Sequence, residues 1–374
     1  MNTQNQQHDN NNPNTMTNNN EHPLLCADYI YHILKYLDAK FIFGVCVRVA
    51  KEWNEVATLC SQLPLSLSER ITPDNLQSVV QSIIPNNNLR HLKRLHLEGE
   101  QNVRITLEQL TAITNSYQHL TSLTITKSYI IPQGAKCIAN CKALNNLTYL
   151  DLSDNVIADD GVEFIVSSPH LKLLRHLNVS SNYIKSKGCQ AITESEHLKS
   201  LEHLDLANNF DSEQGDECAK ILASVKTSCN LKRLNLNSNS IGAKGTEHIA
   251  KSDKLTINLT NLDLSENLIE DKGVQHLAGS NNLKGLRSLN VRGNCISNVG
   301  VESIAKSVHL NELVDLNLSD NSDIDNDAAI CILYSRTLCR LRQLNFTSTG
   351  VTEEMQVIFF KILQTRKRTR VKIE

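Results

Sequence analysis

The stretch Leu147-Thr-Tyr-Leu150-Asp-Leu152-Ser-Asp-Asn155-Val-Ile157-Ala-Asp-Asp-Gly161 decides the fold, because its pattern recurs along most of the chain. Its first half alternates apolar and polar residues, which predicts a short strand with Leu150 and Leu152 pointing inward. Asn155 should end the strand, since a buried Asn side chain can satisfy backbone groups exposed where the chain turns away. We expect Gly161 to permit a turn conformation that is costly for other residues.

The pattern repeats every 27 to 30 residues from Leu92 to the C-terminal end. Each unit begins with Leu, and the ten starts are Leu92, Leu120, Leu147, Leu174, Leu201, Leu231, Leu259, Leu286, Leu313 and Leu341. Asn follows eight residues after the start in seven successive units: Asn155, Asn182, Asn209, Asn239, Asn267, Asn294 and Asn321. Gly follows fourteen residues after the start in seven units: Gly134, Gly161, Gly188, Gly215, Gly245, Gly273 and Gly300. An apolar stretch of helical spacing ends each unit, for example Val162, Ile165 and Val166.

One such unit cannot fold alone, since ordering its backbone costs more free energy than its few aliphatic side chains return. Neighbouring units must cover both of its faces, and the Asn side chains then stack into a ladder. Parallel strands about 4.8 Å apart cannot stay straight beside wider helices. We therefore expect an α/β solenoid that curves, with strands on the concave side and helices on the convex side.

These residues resemble the leucine-rich repeats of the ribonuclease-inhibitor-like class. The resemblance covers about 280 of the 374 residues, and it implies a right-handed horseshoe whose concave face binds proteins. The domain should extend over residues 62–354, with the weaker unit Leu63-Pro-Leu65-Ser-Leu67 at its start.

Two units depart from the pattern. The unit from Leu201 is longer, and we place its extra residues in the helical half, around Cys218 to Cys229, as a bulge on the convex side. The last unit has Thr349 in place of Asn and lacks the Gly, so residues 355–374 are predicted to form a cap and a basic tail. The capping helix would close the open end with Met355, Ile358, Phe359 and Ile362.

The N-terminal sixth of the chain has a different character. Residues 1–20 contain nine Asn and three Gln, so we expect residues 1–21 to be disordered. Residues 22–61 contain apolar residues at helical spacing, including Ile30, Ile33, Leu34 and Leu37. Three short helices are predicted, the third of which would carry Trp53.

This segment resembles an F-box. The residues that carry the resemblance are Leu25, the run Ile30-Tyr-His-Ile33-Leu34-Lys-Tyr-Leu37-Asp38, and the run Val47-Arg-Val-Ala50-Lys-Glu-Trp53. Cys26, Asp28 and Ala50 stand where an F-box usually has Pro, Glu and Cys. By resemblance, Leu25, Ile30, Ile33, Leu34 and Leu37 would contact the Skp-type adaptor of a cullin–RING ubiquitin ligase. Trp53 would anchor the third helix. The alternative is a plain helical cap on the first repeat.

Composition excludes several functional classes. Lys and Arg number 38 against 40 Asp and Glu, for a formal net charge of −2, so no nucleic-acid partner is expected. No apolar run approaches the ~20 residues that span a bilayer, and the polar N-terminus has no signal peptide.

The 11 Cys are dispersed without a CxxC pair, which favours reduced thiols and a cytoplasmic or nuclear location. We expect the closest pair, Cys137 and Cys141, to be buried as small hydrophobes.

No motif for catalysis is present, neither GxGxxG, a P-loop nor HExxH, so we expect no enzyme, cofactor or metal.

The predicted concave face carries an uninterrupted row of bulky residues, Tyr149, His176, His203 and Arg233, about 15 Å long at the strand spacing. Arg175 and Lys232 lie beside it, and Glu202 between them moderates the charge. We interpret this set as the main contact for a partner protein; the alternatives are a solvated face and, with little ligand support, a metal pair at His176 and His203.

The leading hypothesis is a substrate receptor of a cullin–RING ubiquitin ligase, with the adaptor on the F-box-like segment and an unknown protein substrate on the concave face. A free-standing repeat scaffold or inhibitor is the second hypothesis. A GTPase activator, similar to the Ran-directed repeat protein, is the third. The basic run Arg366–Lys372 is either a solvated tail or a nuclear-import or anion-binding segment.

Overall fold

The computed structural model describes residues 66–72, 74–77, 92–100, 103–225 and 230–369. Every described residue lies in one compact unit, Leu65–Glu374. The repeats therefore form a compact unit of their own.

The described strands form one parallel sheet in which each strand pairs with its neighbours in sequence order. The strands are β1 (Ser66–Ile71), β2 (Arg94–Gly99), β3 (Ser122–Thr126), β4 (Tyr149–Asp151), β5 (His176–Asn178), β6 (His203–Asp205), β7 (Arg233–Asn235), β8 (Asn261–Asp263), β9 (Ser288–Asn290), β10 (Asp315–Asn317) and β11 (Gln343–Asn345). The register places equivalent repeat positions opposite one another, as with Leu150 and Leu177. The curved leucine-rich-repeat solenoid predicted from the 27- to 30-residue period is confirmed.

One helix returns the chain from most strands to the next. The helices are α1 (Leu107–Asn115), α2 (Pro132–Asn140), α3 (Ala158–Val166), α4 (Ser186–Glu194), α5 (Gly215–Ala223), α6 (Ala243–Lys251), α7 (Asp253–Thr256), α8 (Glu270–Ala278), α9 (Asn298–Lys306), α10 (Asn326–Leu333) and α11 (Glu353–Thr369). Two short 3₁₀ helices, Lys142–Leu144 and Asn281–Leu283, precede β4 and β9.

The aliphatic positions of the repeat form a continuous core between strands and helices. Leu150 and Leu152 are fully buried, as are Ile157 and Val162 in the same coil. Burying such side chains contributes about 1.5–3 kcal/mol each, which only a stack of coils can supply on both faces.

The predicted Asn ladder is present and joins each coil to the one before it. The Asn267 Oδ1 accepts hydrogen bonds from the backbone N–H groups of Asn239 (3.0 Å) and Ile241 (2.9 Å) in the preceding coil. Its Nδ2 donates to the carbonyl oxygens of Leu236 and Leu264, both at 2.9 Å. Asn239 is itself fully buried, so these side chains satisfy backbone groups that water does not reach.

The role predicted for the repeated Gly is wrong. The left-handed conformation falls on the residue just before the Asn instead, for example Asp154 and Ser181, each with a φ near +55°. Gly161 lies in the first turn of α3, where a Cβ would stand 2.7 Å from Ile157 Cβ and 3.3 Å from Ala135 Cβ. Gly is therefore required there by close packing against Ile157 of its own coil and Ala135 of the preceding helix, and not by the backbone dihedral angle.

The starts of several helices are capped by an acidic side chain of the preceding coil. The Asp159 carboxylate of α3 accepts from the backbone N–H groups of Lys185 (2.6 Å) and Gly188 (2.9 Å), at the start of α4. Asp216 and Asp271 make the equivalent bonds to the starts of α6 and α9. This device places an acidic side chain at a helix N-terminus, where the helix dipole stabilises it.

The extra residues of the Leu201 unit lie before the helix, not around Cys218 to Cys229 as predicted. Helix α5 starts at Gly215, 14 residues after Leu201, whereas α4 starts 12 residues after Leu174. The insertion is a turn over residues 211–214, in which Asp211 pairs with Lys185 (2.8 Å). Cys218, not Gly215, therefore occupies the position of the repeated Gly. A Cβ added at Gly245 would lie 3.0 Å from the Cβ of Ala219, the residue after Cys218, just as a Cβ at Gly161 would contact Ala135, the residue after Gly134.

Both ends of the array differ from its middle. In β1, Leu67 lies opposite Leu95 in the register, so the weak first unit contributes a strand; Leu63 and Leu65 lie outside the described residues. At the other end, Phe359 of α11 is buried against Phe346, with ring centroids 6.0 Å apart. Ile358 was predicted to close this end, but its side chain is 47% exposed because it projects from another side of α11.

Candidate partner-binding face

The residues predicted to form the partner contact come together on the strand face. Tyr149, His176, His203 and Arg233 are paired residues of the adjacent strands β4 to β7. The ring centroids of Tyr149 and His176 lie 5.7 Å apart, and those of His176 and His203 lie 4.0 Å apart. We call these four residues the ring row. The row exists because the repeat places the same position of each strand side by side.

The two imidazoles of the ring row are held uncharged at neutral pH. Burial, together with the neighbouring His176 and the Arg233 guanidinium, lowers the pKa of His203 to about 4. Burial also lowers the pKa of His176, against the opposing effect of Glu202. The centre of the row is therefore a neutral aromatic surface, and its cationic end is Arg233.

Arg175 and Lys232 lie beside the ring row, as predicted, and Glu202 joins them. Glu202 Oε1 is 2.5 Å from Arg175 Nη1, and Oε2 is 2.7 Å from Lys232 Nζ. The hydrogen bonds from Lys232 and Arg175 lower the pKa of the Glu202 carboxyl. The two cations are thus fixed next to the rings, with one of the two positive charges balanced.

The last residue of each short strand has a structural task. Asp151 Oδ1 accepts from the Ser153 backbone N–H at 2.9 Å, and Asn178 Oδ1 accepts from the Ser180 N–H at 3.0 Å. The same bond recurs with Asp or Asn in every strand from β4 to β11. This accounts for the Asp and Asn that recur at the position, and the pattern could have been anticipated from the Asx-turn habit of these residues.

A groove of about 340 Å³ runs along this face from β4 to β9. The ring row forms part of its lining. Another part is formed by Asp205 and Asp263, the last residues of β6 and β8. The backbone of the groove is rigid, since its strands are hydrogen-bonded to neighbours and pinned by the Asn ladder. Such a face can bind a partner without rearranging.

The described residues contain free cysteines and no cluster of metal-ligating side chains. No group of three or more His, Cys, Asp or Glu residues that could hold a metal lies among the described residues. The seven cysteines in this part of the chain are free. Cys141 is buried as predicted and its Sγ lies 3.3 Å from Asn115 Oδ1, but Cys137 is only half-buried, which corrects the prediction for that residue.

The adaptor contacts predicted at Leu25, Ile30, Ile33, Leu34, Leu37 and Trp53 lie outside the described residues. The basic run begins within α11 and continues beyond the described part of the chain. Within residues 66–369 as far as they are described, no helix combines the length and apolar character that crossing a bilayer requires.

A family model for the leucine-rich repeat matches residues 143–166, 170–192, 227–250, 257–278 and 285–305. The chain therefore contains leucine-rich repeats, as its period predicted. A comparison with curated protein sequences found no match.

Three solved structures are similar to this chain. A chain of the yeast Rad7–Elc1 complex is 16% identical, with 90% of this chain and 83% of that chain covered and a TM-score of 0.50. A chain of the TLR13–ssRNA13 complex is 21% identical over 79% of this chain, with a TM-score of 0.48. An internalin (inlF) from Listeria monocytogenes is 18% identical, covering 82% of this chain and 86% of that chain, with a TM-score of 0.42. The chain spans 41% of the length of the TLR13 chain. At these identities the similarity concerns the fold alone.

Proposed function

We propose that this protein is a non-catalytic substrate receptor of a cullin–RING ubiquitin ligase. The observation that carries the proposal is the order of two parts in one chain. F-box-like residues from Leu25 to Trp53 precede a leucine-rich-repeat solenoid whose strand face presents the ring row. A target held on that face would be kept near a ubiquitin-charged enzyme, and the resulting effective concentration would accelerate transfer without a catalytic residue in this chain.

The ring row is the proposed target contact because Tyr and Arg are enriched in binding hot spots and the rings already pack against one another. The neutral imidazoles and the strand backbone lose little freedom on binding, which favours affinity. Arg175 and Lys232 would fix the orientation of the target by charge.

The test is capture by the tagged full-length protein. We expect a Skp-type adaptor to co-purify, and Leu34→Asp with Leu37→Asp to abolish its capture while target capture remains. Replacing Tyr149, His176, His203 and Arg233 by Ala should have the opposite effect: the adaptor is kept and the target is lost. Tyr334→Ala, at a side chain 78% exposed at the end of α10, is the matched control. No adaptor capture by the wild-type chain would refute the ligase link.

The second candidate is a repeat scaffold that binds its partner without a ligase. The specific observation in its favour is that Cys26, Asp28 and Ala50 replace the residues usual in an F-box. This candidate predicts target capture that depends on the ring row, with no adaptor in the purified material.

A further inference from the structure

Two rows of opposite charge border the ring row, and each repeats at every second strand. The basic row is formed by the residues just before the odd-numbered strands β5, β7, β9 and β11: Arg175, Lys232, Arg287 and Arg342. The acidic row is formed by the last residues of the even-numbered strands β4, β6 and β8: Asp151, Asp205 and Asp263. Because neighbouring strands are about 4.8 Å apart, members of one row recur every ~9.6 Å.

In the direction of the strands the basic position comes first, the ring-row position next and the acidic position last, although no single strand carries both a basic and an acidic member. The rings of Tyr149, His176 and His203 line the groove that runs from β4 to β9 together with Asp205 and Asp263, and the basic row flanks the groove without lining it. The basic row keeps free charge: Arg287 and Arg342 form no ion pair with any described residue, and Arg175 and Lys232 share one carboxylate.

The backbone hydrogen bond that the acidic row accepts does not require a negative charge. Asn178 accepts the same backbone hydrogen bond as Asp151 does, so a neutral amide suffices at this position. Burial, reinforced by the carboxylates of Asp151 and Asp263, raises the pKa of Asp205, so this charge is held at a cost in stability. None of the three carboxylates forms an ion pair within the described residues. The second oxygens of Asp205 and Asp263 accept hydrogen bonds from Asn235 Nδ2 (2.9 Å) and Asn290 Nδ2 (2.8 Å) of the next strand. Carboxylates that are held partly buried without an ion pair are expected at a binding surface.

The two-strand repeat matches one particular backbone conformation of a ligand. A polyproline-II segment has three residues per turn and rises 3.1 Å per residue, so each of its three ridges repeats every ~9.3 Å. An extended β-strand would repeat its side chains every ~6.8 Å on one side, which fits neither charged row. Proline-rich segments of this kind also pack on aromatic side chains.

We propose that the groove binds a polyproline-II segment of a partner protein with a three-residue period: one apolar or proline ridge on the rings, one basic ridge on the acidic row and one acidic ridge on the basic row. This inference rests on the proposed function of the strand face and specifies the chemistry of its partner. Since both charge rows must be matched at once, the register of the segment is fixed.

The test uses a fluorescein-labelled peptide of four Pro-Arg-Glu repeats and the full-length protein, with binding followed by fluorescence polarisation. The control peptide has the same composition arranged as two copies of Pro-Pro-Arg-Arg-Glu-Glu, which breaks the three-residue period. We expect the periodic peptide to bind at least about tenfold more tightly, which corresponds to about 1.4 kcal/mol. Equal binding of the two peptides, or no binding of either, would overturn the proposal.

Variants of the protein provide the matching test. The first variant combines Asp151→Asn, Asp205→Asn and Asp263→Asn, which keep the backbone hydrogen bonds. Its affinity for the periodic peptide should be about tenfold lower than that of the wild-type protein. A control with the same change in net charge neutralises exposed helix residues away from the groove: Asp160→Asn, Glu217→Gln and Glu302→Gln. Equal affinities of the two triple variants would overturn the proposal. If target capture depends on the ring row but is neither competed by the periodic peptide nor changed by the Asp variants, this inference fails and the proposed function stands.

Discussion

Replacing one buried Asn of the ladder is predicted to destabilise two coils at once. Asn267 is 3% exposed and hydrogen-bonds to backbone groups on both sides of the coil boundary. In Asn267→Ala, the N–H groups of Asn239 and Ile241 and the carbonyl of Leu236 lose the partner that the Asn side chain provides. An unsatisfied buried group costs about 1–3 kcal/mol, so the expected loss is about 3 kcal/mol or more, less what an entering water restores.

The loss is measured by urea unfolding, and hydrogen exchange locates it. The amide protons of Asn239 and Ile241 should lose protection first, because their acceptor is gone. Asn261→Ala is the matched control, since Asn261 belongs to the same coil but lies half-buried on the strand face. The control should change stability by no more than about 0.5 kcal/mol. Equal stabilities of the two variants, or unchanged protection of both amides, would refute the argument that the ladder couples the coils.

Three further results are expected. Gly161→Ala should lower the free energy of unfolding in urea by about 1–3 kcal/mol, because the added Cβ would overlap Ile157. Gly285→Ala, whose Cβ would have its nearest contact at 3.6 Å, should leave stability unchanged. Equal effects of the two substitutions would contradict the packing role of Gly161. The pKa of His203 is about 4 in the folded chain, so the unfolded chain takes up the proton first and stability falls as the pH drops from 6.5 to about 4. His203→Gln should reduce this fall in thermal unfolding, and an unaltered pH dependence would argue against it. Iodoacetamide should modify the exposed Cys295 and Cys339 in the native protein but not the buried Cys189 and Cys218, with the labelled residues identified by mass spectrometry. Equal labelling of all four cysteines would contradict the burial of Cys189 and Cys218.

The period of the sequence predicted the fold because each repeat position has one environment. Leu150 and Leu152 point inward, as the alternation of apolar and polar residues predicted. Asn155 is buried at the end of the strand, as its position in the repeat predicted. Six of the seven Gly positions, all but Gly215, were correctly singled out, but the reason for them was not, since the distance of Gly161 from Ala135 in the neighbouring coil is set by stacking. A one-dimensional pattern contains no distance between coils.

Counting residues from the start of a unit also has a limit where the chain has an insertion. Gly215 has the right count from Leu201 but the wrong structural position, because the turn before α5 absorbs the extra residues. A signal was present in the sequence: Leu222 follows Cys218 by four residues, as Ile249 follows Gly245. Aligning the helices and not the Gly residues would have located the turn.

The candidate site was predictable in its members but not in its chemistry. The register of the strands places Tyr149, His176, His203 and Arg233 side by side, as the repeat required. The 4.0 Å separation of the two imidazoles and the loss of their charge depend on side-chain rotamers and burial, which the repeat pattern does not specify. The two charged rows were visible in the sequence, but their meaning depends on the strand spacing.

The most direct measurement is hydroxyl-radical footprinting of the full-length protein with and without its captured target. Protection of Tyr149, His176 and His203, with unchanged reactivity of the exposed Tyr183 and Tyr334, is the predicted result. Protection of Tyr183 or Tyr334 with the ring row left reactive would contradict the assignment of the strand face as the receptor surface.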